Sequence, residues 1–372
     1  MATVKKLSVR KRKATNRKAV ESKSLSQVKG AVGGPVTLKE AQAIAEITKP
    51  QRSSRGASVR EGPTLNSIGA QQKMLKAALD DERAAGLRDY TETMKVMKAR
   101  GVRLPASAGN VERAPKRSRN ASGRADAVLP LQIVAEGDSW FKYPVPGAGG
   151  GIIRRLEQRI GVPILNMAEA GDEVRFMLGV EQRERLMRTL IKGCPAGGPW
   201  DVLLFSGGGN DIVDNPMVLW VRRWDPTMQP KYHLDQARFG AVLAIVRAGY
   251  EDLIALRDRH SPNTHIVLHG YDFAIPDGRG VCNHGPWMSP TFDLCGFPKA
   301  GSAREEVVHE MLLQFAAMVK GLIRPTVSYV DTQGTLQASG WANELHPTPA
   351  GFSIFADMFR QHLARQFPDK VR

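Results

Sequence analysis

The chain has 372 residues, which is enough for one large domain and an additional segment. Its net charge of +16 is uneven: residues 1–125 hold 28 Lys and Arg against 10 Asp and Glu (+18), whereas residues 126–372 hold 25 against 27 (−2). No run approaches about 18 apolar residues and no apolar core follows the basic N terminus, so the sequence predicts a cytoplasmic chain without a transmembrane helix or signal peptide.

Residues 1–63 are basic and contain few large apolar side chains. Such a segment cannot bury enough surface to offset its ordering entropy, so we expect a disordered tail. The Lys and Arg residues between positions 5 and 18 form a cluster suited to weak contact with nucleic acid or an anionic surface. Because no aromatic residues are interleaved to stack on bases, a solvated tail without a partner is the favoured interpretation.

A helix is predicted over residues 64–101, ahead of a linker of Ser, Gly, Pro and Arg over 102–128. The helix prediction rests on apolar side chains at three- and four-residue spacing, namely Leu87, Tyr90, Met94 and Met97. This stripe could pair with another helix or dock on the following domain, and the sequence leaves both open.

From residue 129 to 372 the pattern becomes regular. Short apolar runs, typical of strands buried on both faces, are Gln132–Ala135, Pro163–Met167, Val202–Phe205, His265–Leu268 and Thr326–Val330. Stretches of helical periodicity separate them, and a last helix is expected to begin at Thr348 and Pro349. The alternation predicts a three-layer, doubly wound α/β domain with about five parallel strands.

The loops of this domain carry polar residues that could take part in catalysis or binding. Ser139 follows the first strand in the sequence Glu-Gly-Asp-Ser, and Gly171 follows the second. Asn210 comes after three glycines that follow the third strand, and His346 stands next to Pro347 before the last helix. Each has an ordinary explanation as a turn former or surface residue. The carboxyl edge of such a sheet is nevertheless where α/β proteins place their ligands.

Four blocks in this order resemble the SGNH hydrolase superfamily, also called the GDSL esterases and lipases, over roughly residues 130–369. The resemblance implies a flavodoxin-like arrangement and a serine esterase that needs no cofactor. It implies Ser139 as nucleophile and His346 as base. The oxyanion hole would comprise the Ser139 and Gly171 N–H groups and the Asn210 side chain. A lipid acyl ester or an acetylated sugar would be the substrate.

Two positions depart from the family pattern. Trp140 replaces the usual Leu, a change expected to have little effect because it follows the nucleophile. Asn343 replaces the usual Asp three residues before His346; an amide can orient the imidazole but lacks a full charge, and it can bind the wrong tautomer. We expect a Ser-His dyad with Asn343 as a weak orienter; assistance from Asp331 or Glu344, or weak activity, stays open.

A second class of function is a binding or delivery module, with a degenerate hydrolase domain tethered to nucleic acid, membrane or protein by the basic tail. The replacement at Asn343 keeps this alternative open. Ester hydrolysis would favour the esterase hypothesis. Salt-sensitive retention on DNA or anionic liposomes, lost on deleting residues 1–63, would favour the binding or delivery module.

Other sites are weakly supported. The three cysteines, Cys194, Cys282 and Cys295, are too few for a disulfide framework. Zinc ligation by Cys282, His284 and Cys295 lacks a fourth ligand, so we expect no metal and favour a lid over residues 274–300, which are rich in Pro and Gly. Aromatic residues that could line a pocket or simply fill the core are Trp140, Phe141, Tyr143, Trp287 and Trp341.

Overall fold

A computed structural model describes residues 65–99, 130–145, 150–281 and 284–371. The tail predicted over 1–63 and the linker predicted over 102–128 lie outside these residues. The chain divides into two units, Met1–Asp89 and Tyr90–Arg372. No helix in the described part of the chain is both long and apolar enough to cross a membrane.

Helix α1 spans Leu65–Ala99, where the sequence predicted a helix. The division between the two units falls inside this helix. From Tyr90 onward it belongs to the larger unit, where the Tyr90 hydroxyl lies 3.5 Å from the Cys194 sulfur and its ring 5.7 Å from that of Trp200. Met94, one turn further along, is also buried. Two residues of the predicted stripe therefore pack into the core of the larger unit.

Five parallel strands form one sheet in the order β2-β1-β3-β4-β5. Their bounds are β1 Ile133–Gly137, β2 Ile164–Asn166, β3 Val202–Ser206, β4 His265–His269 and β5 Val327–Val330. Every residue of β1 and β3 is buried, as the apolar runs predicted. The prediction of a doubly wound α/β fold with about five parallel strands is confirmed.

Helices connect the strands. They are α2 Gly151–Ile160, α3 Val174–Met177, α4 Val180–Lys192, α5 Gly209–Ile212, α6 Gln236–His260, α7 Ser289–Leu294, α8 Ala303–Lys320 and α9 Pro349–Gln366; short 3₁₀ turns are Asn215–Leu219, Pro230–His233 and Ala338–Gly340. Helices α6 and α9 begin with a side-chain N-cap, at Asp235 and Thr348. The Thr348 hydroxyl accepts the Gly351 N–H at 3.1 Å, and Pro349 opens α9. Helices α2 and α9 pack together, and α6 packs against α4 and α8.

Strand β1 lies between β2 and β3, which is where the chain reverses its direction of winding. From β1 the chain passes through α2 to β2 on one side of β1, and it then crosses to β3 on the other side. The loops that follow β1 and β3 therefore lead away from each other and leave a crevice between the carboxyl ends of these two strands. A crevice at such a switch point is the usual ligand site of open α/β sheets. The fold thus places the Ser139 turn and the Asn210 turn side by side.

Candidate active site

The turn that carries Ser139 is fixed by a buried carboxylate. Asp138 accepts hydrogen bonds from the Trp140 N–H at 3.0 Å, from the Ser206 hydroxyl at 2.8 Å and from the Tyr271 hydroxyl. Burial raises the pKa of Asp138 to about 6, although all three donors favour the charged form. Gly137 is required just before it because a Cβ there would lie 2.6 Å from the Ser206 carbonyl oxygen. Strands β1 and β3 therefore hold Ser139 firmly.

The loop that carries His346 closes on itself before α9. Trp341 pairs with Pro347 across the loop, and the Ala342 N–H donates to the His346 carbonyl at 2.9 Å. The imidazole is 6% exposed and its Nε2 lies 2.8 Å from the Ser139 hydroxyl oxygen. Burial lowers the pKa of His346 to about 4, which favours the neutral ring. Two residues 207 positions apart in sequence are thus in hydrogen-bond contact.

The Asn343 amide fixes the tautomer of this ring. Its Oδ1 accepts the backbone N–H groups of Leu345 (3.0 Å) and His346 (2.9 Å) and lies 3.0 Å from His346 Nδ1. Its Nδ2 donates to the Tyr143 hydroxyl at 3.1 Å. Turning the amide over would place an NH₂ group against two backbone N–H donors, so Oδ1 stays toward the ring. The hydrogen is then on Nδ1, and the Nε2 lone pair faces Ser139.

The predicted oxyanion groups are only partly brought together. Asn210 lies on the same pocket as Ser139 and His346, and its Nδ2 donates to the Asp172 carbonyl at 2.9 Å. Gly171 precedes Asp172 and has a φ of +86°, with nothing within 4 Å of where a Cβ would stand. Gly171 is not among the residues that line the pocket. The loop of Gly171 therefore contacts Asn210, while Gly171 itself lies outside the pocket wall.

An apolar pocket of about 510 Å³, part of it open to solvent, adjoins Ser139 and His346. Its polar lining residues are Asp138, Ser139, Asn210, Asp272 and His346. Apolar side chains form the other walls, namely Trp140, Ile212, Val213, Tyr271, Ala274, Met288, Val308, Met311, Leu312, Trp341 and Leu345. Such a pocket, apolar with a few convergent polar groups, is typical of a small-molecule site.

Neither carboxylate considered as a helper of His346 is bonded to it. Asp331 is exposed and accepts from the Lys320 ammonium at 2.7 Å. Glu344 is fully buried, yet its oxygens accept from backbone N–H groups between residues 278 and 289. The group on His346 Nδ1 is the Asn343 amide.

Sequence reasoning missed several contacts of the site. The Trp140 indole N–H donates to the Leu345 carbonyl at 3.0 Å, and its ring stacks on Phe355 at 5.1 Å. The replacement of Leu by Trp, expected to have little effect, thus joins the serine turn to the histidine loop. Tyr271 on Asp138 and Tyr143 on Asn343 were also missed as partners. The sequence signal available for these contacts was the group of aromatic residues that follows Asp138 and Ser139, namely Trp140, Phe141 and Tyr143.

The segment proposed as a lid contributes Ala274 and Met288 to the pocket. Of the proposed zinc ligands, Cys282 lies outside the described residues, and Cys295 is buried with its thiol donating to the Val221 carbonyl at 3.4 Å. Among the residues the structure describes, no group of three or more His, Cys, Asp or Glu side chains is placed to hold a metal ion.

The fold and this site define an α/β protein that brings a serine and a histidine together at the carboxyl edge of its sheet. Residues 133–359, more than half of the chain, match the family model of the GDSL-like Lipase/Acylhydrolase. The chain therefore belongs to this family, and it is a lipase- or esterase-type hydrolase that acts on ester bonds. A search of curated protein sequences gave no significant match.

Solved structures similar to the chain include the lipase Lip_vut3 from a goat rumen metagenome, with 18% identity, a TM-score of 0.40 and coverage of 62% of this chain and 96% of that one. Phospholipase A1 from Streptomyces albidoflavus NA297 has 15% identity, a TM-score of 0.38 and coverage of 62% and 99%. An extracellular lipase from Streptomyces rimosus has 15% identity, a TM-score of 0.36 and coverage of 62% and 99%.

Proposed function

We propose that the chain is a serine esterase in which Ser139 is the nucleophile and His346 the general base. The observation that carries this proposal is the 2.8 Å contact between the Ser139 hydroxyl and His346 Nε2 beside an apolar pocket. A serine hydroxyl is a weak nucleophile unless a base within hydrogen-bond reach removes its proton. The neutral ring, with its lone pair on Nε2, is the form that accepts this proton.

In the first half of the reaction the Ser139 oxygen attacks the ester carbonyl while Nε2 takes the hydroxyl proton. The tetrahedral intermediate then expels the alcohol, which receives that proton from His346. In the second half a water attacks the acyl-serine, again giving its proton to Nε2. Collapse of this second intermediate returns the proton to Ser139 and releases the acid.

Asn343 holds the base in place without supplying a charge. Its Oδ1 accepts the Nδ1 hydrogen, and two backbone N–H groups prevent it from turning over. This removes the risk of the wrong tautomer that an amide at this position introduces. The aromatic ring of Tyr143, whose centroid lies 4.5 Å from that of His346, also restricts the imidazole. The centre is therefore a Ser-His dyad oriented by an amide.

The oxyanion would be held by the Ser139 N–H, the Gly171 N–H and the Asn210 side chain. An amide NH₂ carries two hydrogens, and the Asp172 carbonyl uses one of those on Asn210. The second is available to a carbonyl oxygen in the pocket that Asn210 lines. Gly171 belongs to the same loop as Asp172, whose carbonyl Asn210 contacts at 2.9 Å.

The proposal is tested with short nitrophenyl esters and the variant Ser139→Ala. We expect a loss of at least about 1,000-fold in kcat, because both steps need the hydroxyl. Ser302→Ala, at an exposed serine before α8, is the matched control and should hydrolyse at the wild-type rate. Undiminished turnover by Ser139→Ala would overturn the assignment of the nucleophile.

A further inference from the structure

The carboxylate nearest to His346 in sequence has its acceptor capacity filled by another segment. Glu344 Oε2 accepts the N–H groups of Trp287 (2.6 Å) and Met288 (2.7 Å). Oε1 accepts the N–H groups of Gly278 (3.0 Å) and Ser289 (3.0 Å) and the Ser289 hydroxyl (2.5 Å). The four backbone N–H groups match the roughly four lone-pair sites of a carboxylate. The Ser289 hydroxyl adds a fifth contact, and its single hydrogen is shared with the Pro276 carbonyl at 2.9 Å. The imidazole is not among them.

These five donors belong to the described residues 278–281 and 284–289, which we call the wall segment. Two further bonds join it to the histidine loop: the Glu344 N–H donates to the Arg279 carbonyl at 3.2 Å, and the Arg279 guanidinium donates to the Trp341 carbonyl at 2.8 Å. The wall segment is thus attached to the same loop that carries His346. A buried carboxylate with charge-assisted bonds is the strongest of these attachments.

Two side chains of the wall segment face the reaction centre. Met288 is fully buried and lines the apolar pocket. The indole of Trp287 meets the His346 ring edge-on, with centroids 5.6 Å apart and an angle of 75° between planes. The backbone N–H groups of both residues end on Glu344 Oε2. Loss of this oxygen as an acceptor would release both side chains together.

We propose that Glu344 is a positioning residue that holds the wall segment against the histidine loop and thereby sets the preference for the apolar part of the ester. This inference rests on the proposed serine esterase function. Glu344 acts through Met288, which completes the pocket wall, and through Trp287, which packs on the base. Its charge is directed to backbone N–H groups, so it does not replace the carboxylate that Asn343 lacks.

Glu344→Gln is the primary test, because it keeps the volume and replaces one acceptor oxygen with an NH₂ group facing N–H donors. We expect KM for a nitrophenyl octanoate to rise by about tenfold or more, and KM for the acetate to change less than about threefold. A purely structural role would lower the active fraction and leave KM unchanged for both esters.

Met288→Ala should reproduce the loss of chain-length preference. Asp331→Asn, at an exposed carboxylate, is the matched control and should behave as wild type.

A double-mutant cycle with Asn343→Asp separates wall positioning from charge supply. If Glu344 only positions the wall, Asn343→Asp changes kcat by the same factor with and without Glu344→Gln. If Glu344 supplied charge to the imidazolium, the new carboxylate would restore the activity lost in Glu344→Gln, and the proposal would be overturned. Equal KM values for the octanoate in wild type and Glu344→Gln would overturn it as well.

Ser289→Ala keeps the inference testable if Glu344→Gln does not fold. It removes one of five donors, and we expect a smaller rise in KM for the octanoate in the same direction. Unchanged KM values in both Ser289→Ala and Met288→Ala would reject the inference. In either case an inactive Ser139→Ala would leave the proposed esterase function standing, whereas an active Ser139→Ala would reject that function itself.

Discussion

The two halves of the site are fixed by different chemistry. On the serine side a buried carboxylate, Asp138, accepts a backbone N–H and two hydroxyls, and the turn after β1 follows from these bonds. On the histidine side a neutral amide, Asn343, accepts two backbone N–H groups and faces the imidazole. Both side chains fix a loop by accepting hydrogen bonds from backbone N–H groups, but only the Asp138 carboxylate can carry a charge.

This difference shows that orientation and charge are separable tasks at such a site. In a serine–histidine–aspartate arrangement one carboxylate both selects the tautomer and stabilises the imidazolium. Here Asn343 performs the first task, while the nearby charges of Asp138 and Glu344 are used to hold backbone and hydroxyl groups. In the proposed mechanism, the imidazolium formed during acylation is therefore left without a bonded counter-charge among the described residues.

Of the changes that separate the two halves of the site, the largest effect is expected on the serine side, from Asn210→Ala. Loss of one oxyanion donor typically costs about 100- to 1,000-fold in kcat with little change in KM. Asn215→Ala, at an exposed asparagine a turn further on, is the matched control. Steady-state kinetics on nitrophenyl acetate measure both. A rise in KM with unchanged kcat would mean that Asn210 binds the ester and the transition state equally and is not an oxyanion donor.

The next effect is expected from Asn343→Asp, which adds the missing charge. The tautomer is already correct, so we expect a gain of roughly tenfold in kcat at pH 8, or about 1.4 kcal/mol, and not the far larger effect that follows a wrong tautomer. Tyr143 can reverse its bond and donate to the new carboxylate, so the packing is kept.

The same variant also has a signature in the pH profile. Burial lowers the pKa of His346 to about 4, so kcat/KM of the wild type should fall only as the pH approaches 4. A carboxylate beside Nδ1 favours the imidazolium and raises this pKa, which moves the acid limb to higher pH. Gln337→Glu adds an exposed charge before the Ala338–Gly340 turn and serves as control. An unshifted limb together with an unchanged rate would contradict the role of His346 as base.

The sequence was sufficient for the parts of the molecule that depend on local pattern. Apolar runs identified β1 and β3, Thr348 with Pro349 identified the start of α9, and the order of polar loops led to Ser139 and His346. Each of these signals lies within a few consecutive residues. The pairing of Ser139 with His346 also followed from topology, because parallel strands end at one edge of the sheet.

The supporting contacts were not predictable in the same way. Tyr271 meets Asp138 across 133 residues, and Glu344 meets Trp287 across 57. Such pairs depend on how loops travel over the sheet edge, and no spacing in the sequence encodes that path. Glu344 illustrates the consequence: its position beside Asn343 suggested a helper of the imidazole, whereas its partners lie on another loop.

The smallest effect is expected from the reverse exchange on the serine side, Asp138→Asn. An amide there can still accept from the Trp140 N–H and the Ser206 hydroxyl through its oxygen. The Tyr271 hydroxyl can rotate to accept from its NH₂ group. Every polar group thus keeps a partner, and only the charge is removed. The expected change is therefore in the pH dependence of stability rather than in the fold.

Burial raises the pKa of Asp138 to about 6, above the value of about 4 of an unfolded chain. A raised pKa contributes stability that is present below the unfolded value and lost as the pH rises through 6. Asp138→Asn lacks this loss, so its Tm relative to wild type should increase by a few degrees between pH 5 and pH 8. Asp331→Asn, at an exposed carboxylate, should show no such trend. A relative Tm that instead falls toward pH 8 would mean that the ionised carboxylate stabilises the serine turn, and that charge as well as geometry holds this half of the site.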